Sequence, residues 1–216
     1  MLDSAARRHY LISMTAVLAI DTAAPRLQLG LLRPDGHVDV SIEDMAQGHA
    51  ELIFPRLAAL LARNGAAYGE IECIAVTTGP GSFTGLRIGL SAARGLGLAL
   101  GAPVLGIPSL LAISLAAPSG RPVAVLLDAR RGEAYFQRFE APGRPAEAPR
   151  LLPIEEARAL VPLGATLIET PFPDLAAMAT FAEGADPAAF PPEAAYVRGA
   201  DAKPQDKARI ARVGGA

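Results

Sequence analysis

The sequence predicts an α/β fold with two lobes, the second smaller than the first. Strand patterns and helical patterns alternate as far as about residue 117, and the same alternation starts again after a proline-bounded break at 118–122. The length of 216 residues is sufficient for two small cores. The predicted organisation is a disordered leader, a first lobe, a second lobe and a polar tail, over 1–13, 14–117, 118–200 and 201–216.

The first lobe is predicted to open with three strands joined by turns. Residues 16–20 form an apolar run that ends at Asp21, residues 27–32 form the second strand, and Val38 and Val40 mark the third. An amphipathic helix over 49–64 follows, in which Pro55 predicts a kink or a late start. The rest of the lobe is a strand at 73–77, a helix to about residue 100, a strand at 103–107 and a helix at 109–115.

The second lobe has fewer regular patterns. Strands at 123–127 and 134–139 are predicted to form a hairpin, and 141–149 reads as a surface loop rich in Pro, Gly and Glu. Helices at 154–160 and 175–183 flank a strand at 165–169.

Composition excludes several classes of protein. Half of the residues are apolar (51%), 19% are charged and the net charge is −2, so the chain is globular and lacks the basic surface that grips nucleic acid unaided. The single Cys73 excludes a disulfide framework and fits a cytoplasmic location. No apolar run reaches the length of a membrane span.

The first residues admit two interpretations. Arg7 and Arg8 before an apolar run at 10–20 imitate a secretory signal, but that run contains the first strand, which its neighbour needs for pairing. We favour the strand, with translation starting at Met1 or at Met14.

The glycine-rich segment 78–85 before the second helix has the composition of an anion site. Backbone N–H groups and a helix N-terminus together attract phosphate. Because the segment lacks the lysine of a P-loop, we favour a capped strand-to-helix turn over an anion site. With Asp21 at the end of the first strand, it forms a possible vestigial nucleotide or anion site, although the second lobe offers no glycine-rich counterpart. The residues concerned are Asp21, Gly79, Gly81, Ser82 and Thr84.

Two helices show a second face besides the predicted core face. In the second helix, Gly85, Gly89, Ala93, Gly97 and Gly101 recur every four residues; packing against the core is the favoured interpretation, and a partner helix is the alternative. The remaining faces are either solvated or a partner surface. They contain Leu52, Arg56, Ala59 and Arg63 on the first helix and Arg87, Ser91 and Arg94 on the second.

Catalytic and metal-binding constellations are not predicted. His9, His37 and His49 are widely separated, and His49 reads as a surface residue. No Gly-x-Ser-x-Gly motif is present. We therefore expect no catalytic residue, metal or cofactor.

Several segments, in order along the chain, resemble the TsaB (YeaZ) family. The most specific is 78–89, which contains Gly-Pro-Gly-Ser-Phe-Thr-Gly; the supporting segments are 17–22, 49–55, 106–110, 128–135 and 196–198. The leader and the part of the chain after Arg198 depart from the family pattern.

The resemblance implies an actin-like (ribonuclease-H-like) two-lobed fold with a reduced second lobe. It also implies a non-catalytic subunit that pairs with a TsaD-type transferase, through the two first-lobe helices, to form N6-threonylcarbamoyladenosine at position 37 of tRNA. A TsaE-type ATPase would join a larger complex, tRNA would be contacted only indirectly, and a homodimer is possible. The alternatives are a free-standing actin-like ATPase or sugar kinase using Asp21 and the Gly79–Gly81 turn, and an independent peptidase.

Overall fold

The computed structural model describes residues 16–195. The predictions for the leader, the tail and the 196–198 motif lie outside the described residues. Within them, the chain forms two five-stranded sheets with helices packed on their faces.

The first sheet has the order β3-β2-β1-β4-β5. Strands β1 to β3 form an antiparallel meander, because short turns join them, and β4 and β5 run parallel to β1 after helical crossovers. All three predicted opening strands are confirmed within one or two residues at their starts, although β3 continues beyond Val40. The strands are β1 (Val17–Asp21), β2 (Arg26–Leu32), β3 (Val38–Asp44), β4 (Cys73–Thr77) and β5 (Val104–Ile107).

Two helices cover one face of this sheet. Helix α1 (His49–Arg63) and helix α2 (Phe83–Leu100) bury a cluster that includes Leu18, Leu57 and Leu90. Helix α1 begins at His49 and contains Pro55. The late start considered from Pro55 is therefore wrong.

The second sheet has the order β10-β6-β7-β8, with β9 paired to β7. Its strands are β6 (Val123–Arg130), β7 (Glu133–Ala141), β8 (Arg144–Pro145), β9 (Arg150–Pro153) and β10 (Thr166–Ile168). The predicted hairpin is confirmed as β6 and β7, and helix α4 (Ile154–Ala159) packs against its outer face. Strands β8 and β9 were not predicted, since β8 has only two residues and β9 only four.

Helix α5 (Leu175–Glu183) packs on the first sheet rather than the second. The sequence assigned it to the second lobe, but its buried residues Leu175, Met178 and Ala179 lie in the same cluster as Val17 of β1. The approach is close, since a Cβ atom on Gly30 of β2 would lie 3.0 Å from the Leu175 Cβ atom. Helix α3 (Ser109–Ser114) belongs to this cluster too, so α3 and α5 fill the layer between the sheets.

The glycine spacing of α2 is explained by core packing. A Cβ atom on Gly85 would lie 1.9 Å from the Thr22 carbonyl oxygen, and one on Gly89 would lie 2.4 Å from the Thr22 hydroxyl oxygen. A Cβ atom on Gly97 would lie 2.4 Å from the Cγ2 atom of Val104. The favoured interpretation of this face is therefore supported: its glycines let the helix lie against the sheet and the β1–β2 turn.

Candidate functional site

A cleft opens between the two sheets where β1 and β6 end. It has a volume of about 560 Å³. We call it the interlobe cleft. Its wall combines the β1–β2 turn, the start of α2, the β6–β7 hairpin and the segment after β10. The lining includes Asp21, Pro80, Ser82, Asp128, Tyr135 and Glu169.

Asp21 lies fully buried at the floor of the interlobe cleft. Its Oδ1 atom accepts hydrogen bonds from the Thr77 hydroxyl at 2.6 Å and the Ala23 N–H at 3.2 Å. Its Oδ2 atom accepts a hydrogen bond from the Gln28 side-chain amide at 3.3 Å. The same amide nitrogen of Gln28 also donates to the Pro173 carbonyl at 3.5 Å. Burial raises the pKa of the Asp21 carboxyl, and these hydrogen bonds oppose the rise. The carboxylate thus joins β1, β2, β4 and the segment before α5.

The glycine-rich turn is also bonded internally. The N–H of Gly79 donates to the Ser109 hydroxyl, and the N–H of Ser82 donates to the Ala23 carbonyl at 2.7 Å. The Ser82 hydroxyl caps α2 by accepting from the Gly85 N–H at 3.2 Å. Gly81 fits against Ala23, where a Cβ atom would meet the carbonyl at 2.6 Å, and Thr84 is exposed. Because these donors already have partners, the geometry favours the capped turn over an anion site.

The β6–β7 hairpin forms the opposite lip of the interlobe cleft. Arg130 and Arg131 adopt left-handed backbone conformations, with φ of 66° and 57°, before Gly132 at 76°. The Asp128 carboxylate accepts from the Arg130 N–H at 2.7 Å, which fixes the start of this turn.

A second concave surface lies between α1 and α2 on the outer side of the first lobe. We call it the helix groove; its volume is about 560 Å³. Phe54 and Phe83 remain 45% and 53% exposed there, and the Arg87 guanidinium lies 3.9 Å from the centre of the Phe83 ring. The residues lining the groove are Ala50, Ile53, Phe54, Phe83, Thr84, Arg87, Ile88, Ser91 and Ala92.

The structure does not bring the two predicted partner faces together. Arg87 and Ser91 line the helix groove, but the predicted face of α1 lies beside β3. Arg56 pairs there with Glu43 at 2.6 Å, and Arg63 holds Asp39 with two nitrogens at 2.6 and 2.8 Å.

The other members of those faces are also accounted for. Leu52 packs partly into the core, whereas Ala59 is exposed. Arg94 of α2 donates to the Pro192 carbonyl, which ties the segment after α5 to the helix.

The sequence prediction missed Phe54 and Phe83. The signal was present, since Phe54 lies off the core stripe of Ile53, Leu57 and Leu60, and Phe83 opens α2 within the most specific motif.

His49 is buried, not on the surface as predicted. Its side chain is 5% exposed and its Nε2 atom has no hydrogen-bond partner among the described residues. The helical spacing from His49 to Ile53 and Leu57 explains the burial, because all three occupy one face of α1.

Neither a metal-ion site nor a membrane-spanning helix is present within residues 16–195. No group of three or more His, Cys, Asp or Glu residues there is placed to hold a metal ion. No helix in that range is long and apolar enough to cross a bilayer.

The two-lobed architecture is shared with a solved structure. The structure of YeaZ from Pseudomonas aeruginosa is 27% identical, superposes with a TM-score of 0.70, and is matched over 84% of this chain and 99% of its own. The fold and the interlobe cleft therefore define an actin-like, two-lobed α/β protein, which confirms the predicted fold class.

Sequence relatives agree with the structural match. A family model described as TsaD: tRNA N6-adenosine threonylcarbamoyltransferase matches residues 40–160, more than half of the chain. The chain belongs to this family, and its predicted resemblance to TsaB (YeaZ) proteins is confirmed.

Two curated relatives share the name tRNA threonylcarbamoyladenosine biosynthesis protein TsaB. The one from Escherichia coli is 34% identical over 127 residues, 57% of this chain and 54% of the relative. The one from Bacillus subtilis is 34% identical over 123 residues, 55% of this chain and 52% of the relative. The chain therefore spans about half the length of these relatives.

Proposed function

We propose that this protein acts in tRNA threonylcarbamoyladenosine biosynthesis as a non-catalytic subunit that pairs with a TsaD-type transferase. The partner would transfer threonylcarbamoyl to adenosine 37 and hold the tRNA, in keeping with the net charge of −2 on this chain. The names of the TsaB relatives and the family match support the pathway. A TsaE-type ATPase in a larger complex and a cytoplasmic location belong to the same proposal.

The helix groove is the observation that carries the pairing. Exposed aromatic rings and arginine are enriched at the centre of protein interfaces, where they supply large contact area and directed hydrogen bonds. Phe54, Phe83 and Arg87 combine these features in one concavity. Because α2 turns Ser91 and Ile88 toward the same opening, a helix of the partner can lie along it. A homodimer would use the same surface and would compete with the transferase.

The interlobe cleft supports the non-catalytic part of the proposal. Each oxygen of Asp21 accepts at least one internal hydrogen bond, and the N–H groups of Gly79 and Ser82 are likewise occupied. These bonds tie the end of β1 to β2 and β4, and they tie the glycine-rich turn to Ser109 and Ala23. An independent ATPase or sugar kinase would need these groups for metal and phosphate.

Pairing is tested with two matched glutamate substitutions. Ser91→Glu places a charge in the helix groove, whereas Ala59→Glu places one on the exposed side of α1 beside β3. Each variant is co-expressed with the cognate TsaD-type protein and recovered through a tag on the transferase. We expect Ser91→Glu to weaken pairing ~100-fold, because an unpaired charge would be buried at the contact. Ala59→Glu should leave pairing intact.

The reverse pattern would assign the contact to the predicted α1 face of Leu52, Arg56, Ala59 and Arg63. If both variants pair normally, the helix groove is not the interface. Melting temperatures of both free variants equal to that of the native protein would show that neither result reflects misfolding.

Magnesium–nucleotide titration of the isolated protein tests the ATPase alternative. We expect no steady hydrolysis. Hydrolysis that Asp21→Ala abolishes would establish the alternative and overturn the non-catalytic assignment.

A further inference from the structure

We propose that the interlobe cleft binds a neutral, hydroxyl-bearing small molecule of about nucleoside size and discriminates against its phosphorylated forms. This site is separate from the helix groove. The proposal therefore stands or falls independently of pairing with a transferase.

The size and apolar wall of the cleft fit one ring-containing ligand. Its volume of about 560 Å³ lies within the range of ~300–1,000 Å³ that is typical of small-molecule sites. Four prolines from three segments form much of the wall, and a proline ring offers a rigid apolar surface on which a planar group can lie. They are Pro25, Pro80, Pro171 and Pro173.

Polar groups on the second-lobe side can recognise hydroxyls. Tyr135 lines the cleft, and its phenol makes no hydrogen bond to any described residue. Glu169 contacts Arg158 through Oε1 at 2.6 Å, and no hydrogen bond within 16–195 uses its Oε2 atom. Asp128 adds a second carboxylate at the rim. Carboxylates accept strong hydrogen bonds from hydroxyl groups, and the phenol can donate or accept.

Charge disfavours a phosphate in the same place. Three carboxylates line the cleft, at Asp21, Asp128 and Glu169, and Arg130 is the one cation among the lining residues described. The Arg130 guanidinium already lies 3.7 Å from the Asp128 carboxylate. The N–H groups of Gly79 and Ser82 donate internally, so the turn lacks these two donors for an anion. A dianionic ligand would therefore find no unshared cation among the described lining residues and would lie beside carboxylates.

Binding of adenosine and AMP to the intact protein, compared by ligand-detected NMR and calorimetry, tests this inference. Adenosine serves as a neutral ring compound with vicinal hydroxyls, and AMP differs from it only by the phosphate. We expect adenosine to bind at least tenfold more tightly than AMP. Loss of one neutral hydrogen bond in Tyr135→Phe should weaken adenosine about fivefold.

Two further variants give the experiment its controls. Tyr68→Phe makes the same chemical change on a partly exposed residue outside the cleft, and it should leave adenosine binding unchanged. Glu169→Gln should reduce the preference for adenosine over AMP, because it removes one negative charge.

Two results would overturn the proposal. One is tighter binding of AMP than of adenosine. The other is no adenosine binding at millimolar concentration by a protein that is folded.

Discussion

Two alanine substitutions in the same helix should shift stability in opposite directions. Gly89 and Gly95 both lie inside α2, so replacing either by Ala gains about 1 kcal/mol of helix propensity. Their surroundings differ. A Cβ atom at position 95 meets no atom within 4 Å, whereas one at position 89 would lie 2.4 Å from the Thr22 hydroxyl oxygen.

The loss of stability expected for Gly89→Ala follows from the packing and the hydrogen bond of Thr22 that a Cβ atom at position 89 would disturb. Thr22 is 1% exposed and its hydroxyl donates to the Gly85 carbonyl at 2.7 Å, so it has no room to move aside. Overpacking costs about 1–3 kcal/mol and the lost hydrogen bond about 1 kcal/mol. After the gain in propensity, Gly89→Ala should lower the free energy of unfolding by about 1–3 kcal/mol. Gly95→Ala should raise it by about 1 kcal/mol.

Thermal and denaturant unfolding of the two variants provides the assay. For a chain of this size, 1 kcal/mol corresponds to about 2–4 °C in Tm. The melting temperatures should therefore move apart, with Gly95→Ala above the native protein and Gly89→Ala below it. If both variants rise together, α2 does not lie against Thr22 and the explanation of the glycine spacing fails.

Three further predictions concern titratable groups. Burial raises the pKa of Asp21, so the folded protein binds the Asp21 proton more tightly than the unfolded chain does. The free energy of unfolding should therefore fall as the pH rises from the ordinary pKa of an aspartate to the raised pKa of Asp21 in the folded protein. Asp21→Asn should lack this component in pH-dependent urea unfolding. The hydrogen bond from Arg63 lowers the pKa of Asp39 in the folded protein. The contribution of this pair to the free energy of unfolding should therefore be lost as the pH falls through the lowered pKa of Asp39. At neutral pH, Asp39→Asn should cost at most about 1 kcal/mol in urea unfolding. Burial raises the pKa of Cys73 to about 11, so a thiol reagent at pH 8 should label it only after unfolding.

The elements of the first lobe could be predicted because their signals are local. A continuous apolar run marked β1, alternation marked β2, and the helical spacing of Ile53, Leu57 and Leu61 marked α1. The spacing of the glycines in α2 also indicated close packing, although it did not name Thr22 or Val104 as the neighbours.

The placement of α5 could not be predicted, because its pattern shows only that one side is buried. Which sheet buries that side depends on the path of the chain after β10. Leu175 packs against Gly30, which lies 145 positions earlier in the sequence, and no local sequence pattern indicates that these two residues are in contact.

The candidate partner surface was only half predictable. Helical spacing correctly identified Ile53, Leu57 and Leu61 as core residues of α1, but it left the partly buried Leu52 outside the core face. It also did not distinguish the side beside β3 from the side beside α2. The difference depends on ion pairs with Asp39 and Glu43, which come from another strand. The cleft residue Asp21 was found from its place at the end of β1. Its complete burial and its hydrogen bond from Thr77 were not predicted, because Thr77 comes from another strand.

Reconstituted modification of tRNA is the most direct test of the central claim. The assay combines the cognate TsaD-type transferase, its activated threonylcarbamoyl donor, the cognate TsaE-type ATPase and tRNA, with and without this protein, and measures N6-threonylcarbamoyladenosine at position 37. We predict that product forms only when this protein is present, that Ser91→Glu abolishes the stimulation, and that Ala59→Glu preserves it. Product formation by the transferase at the same rate without this protein, or by this protein without the transferase, would contradict the account.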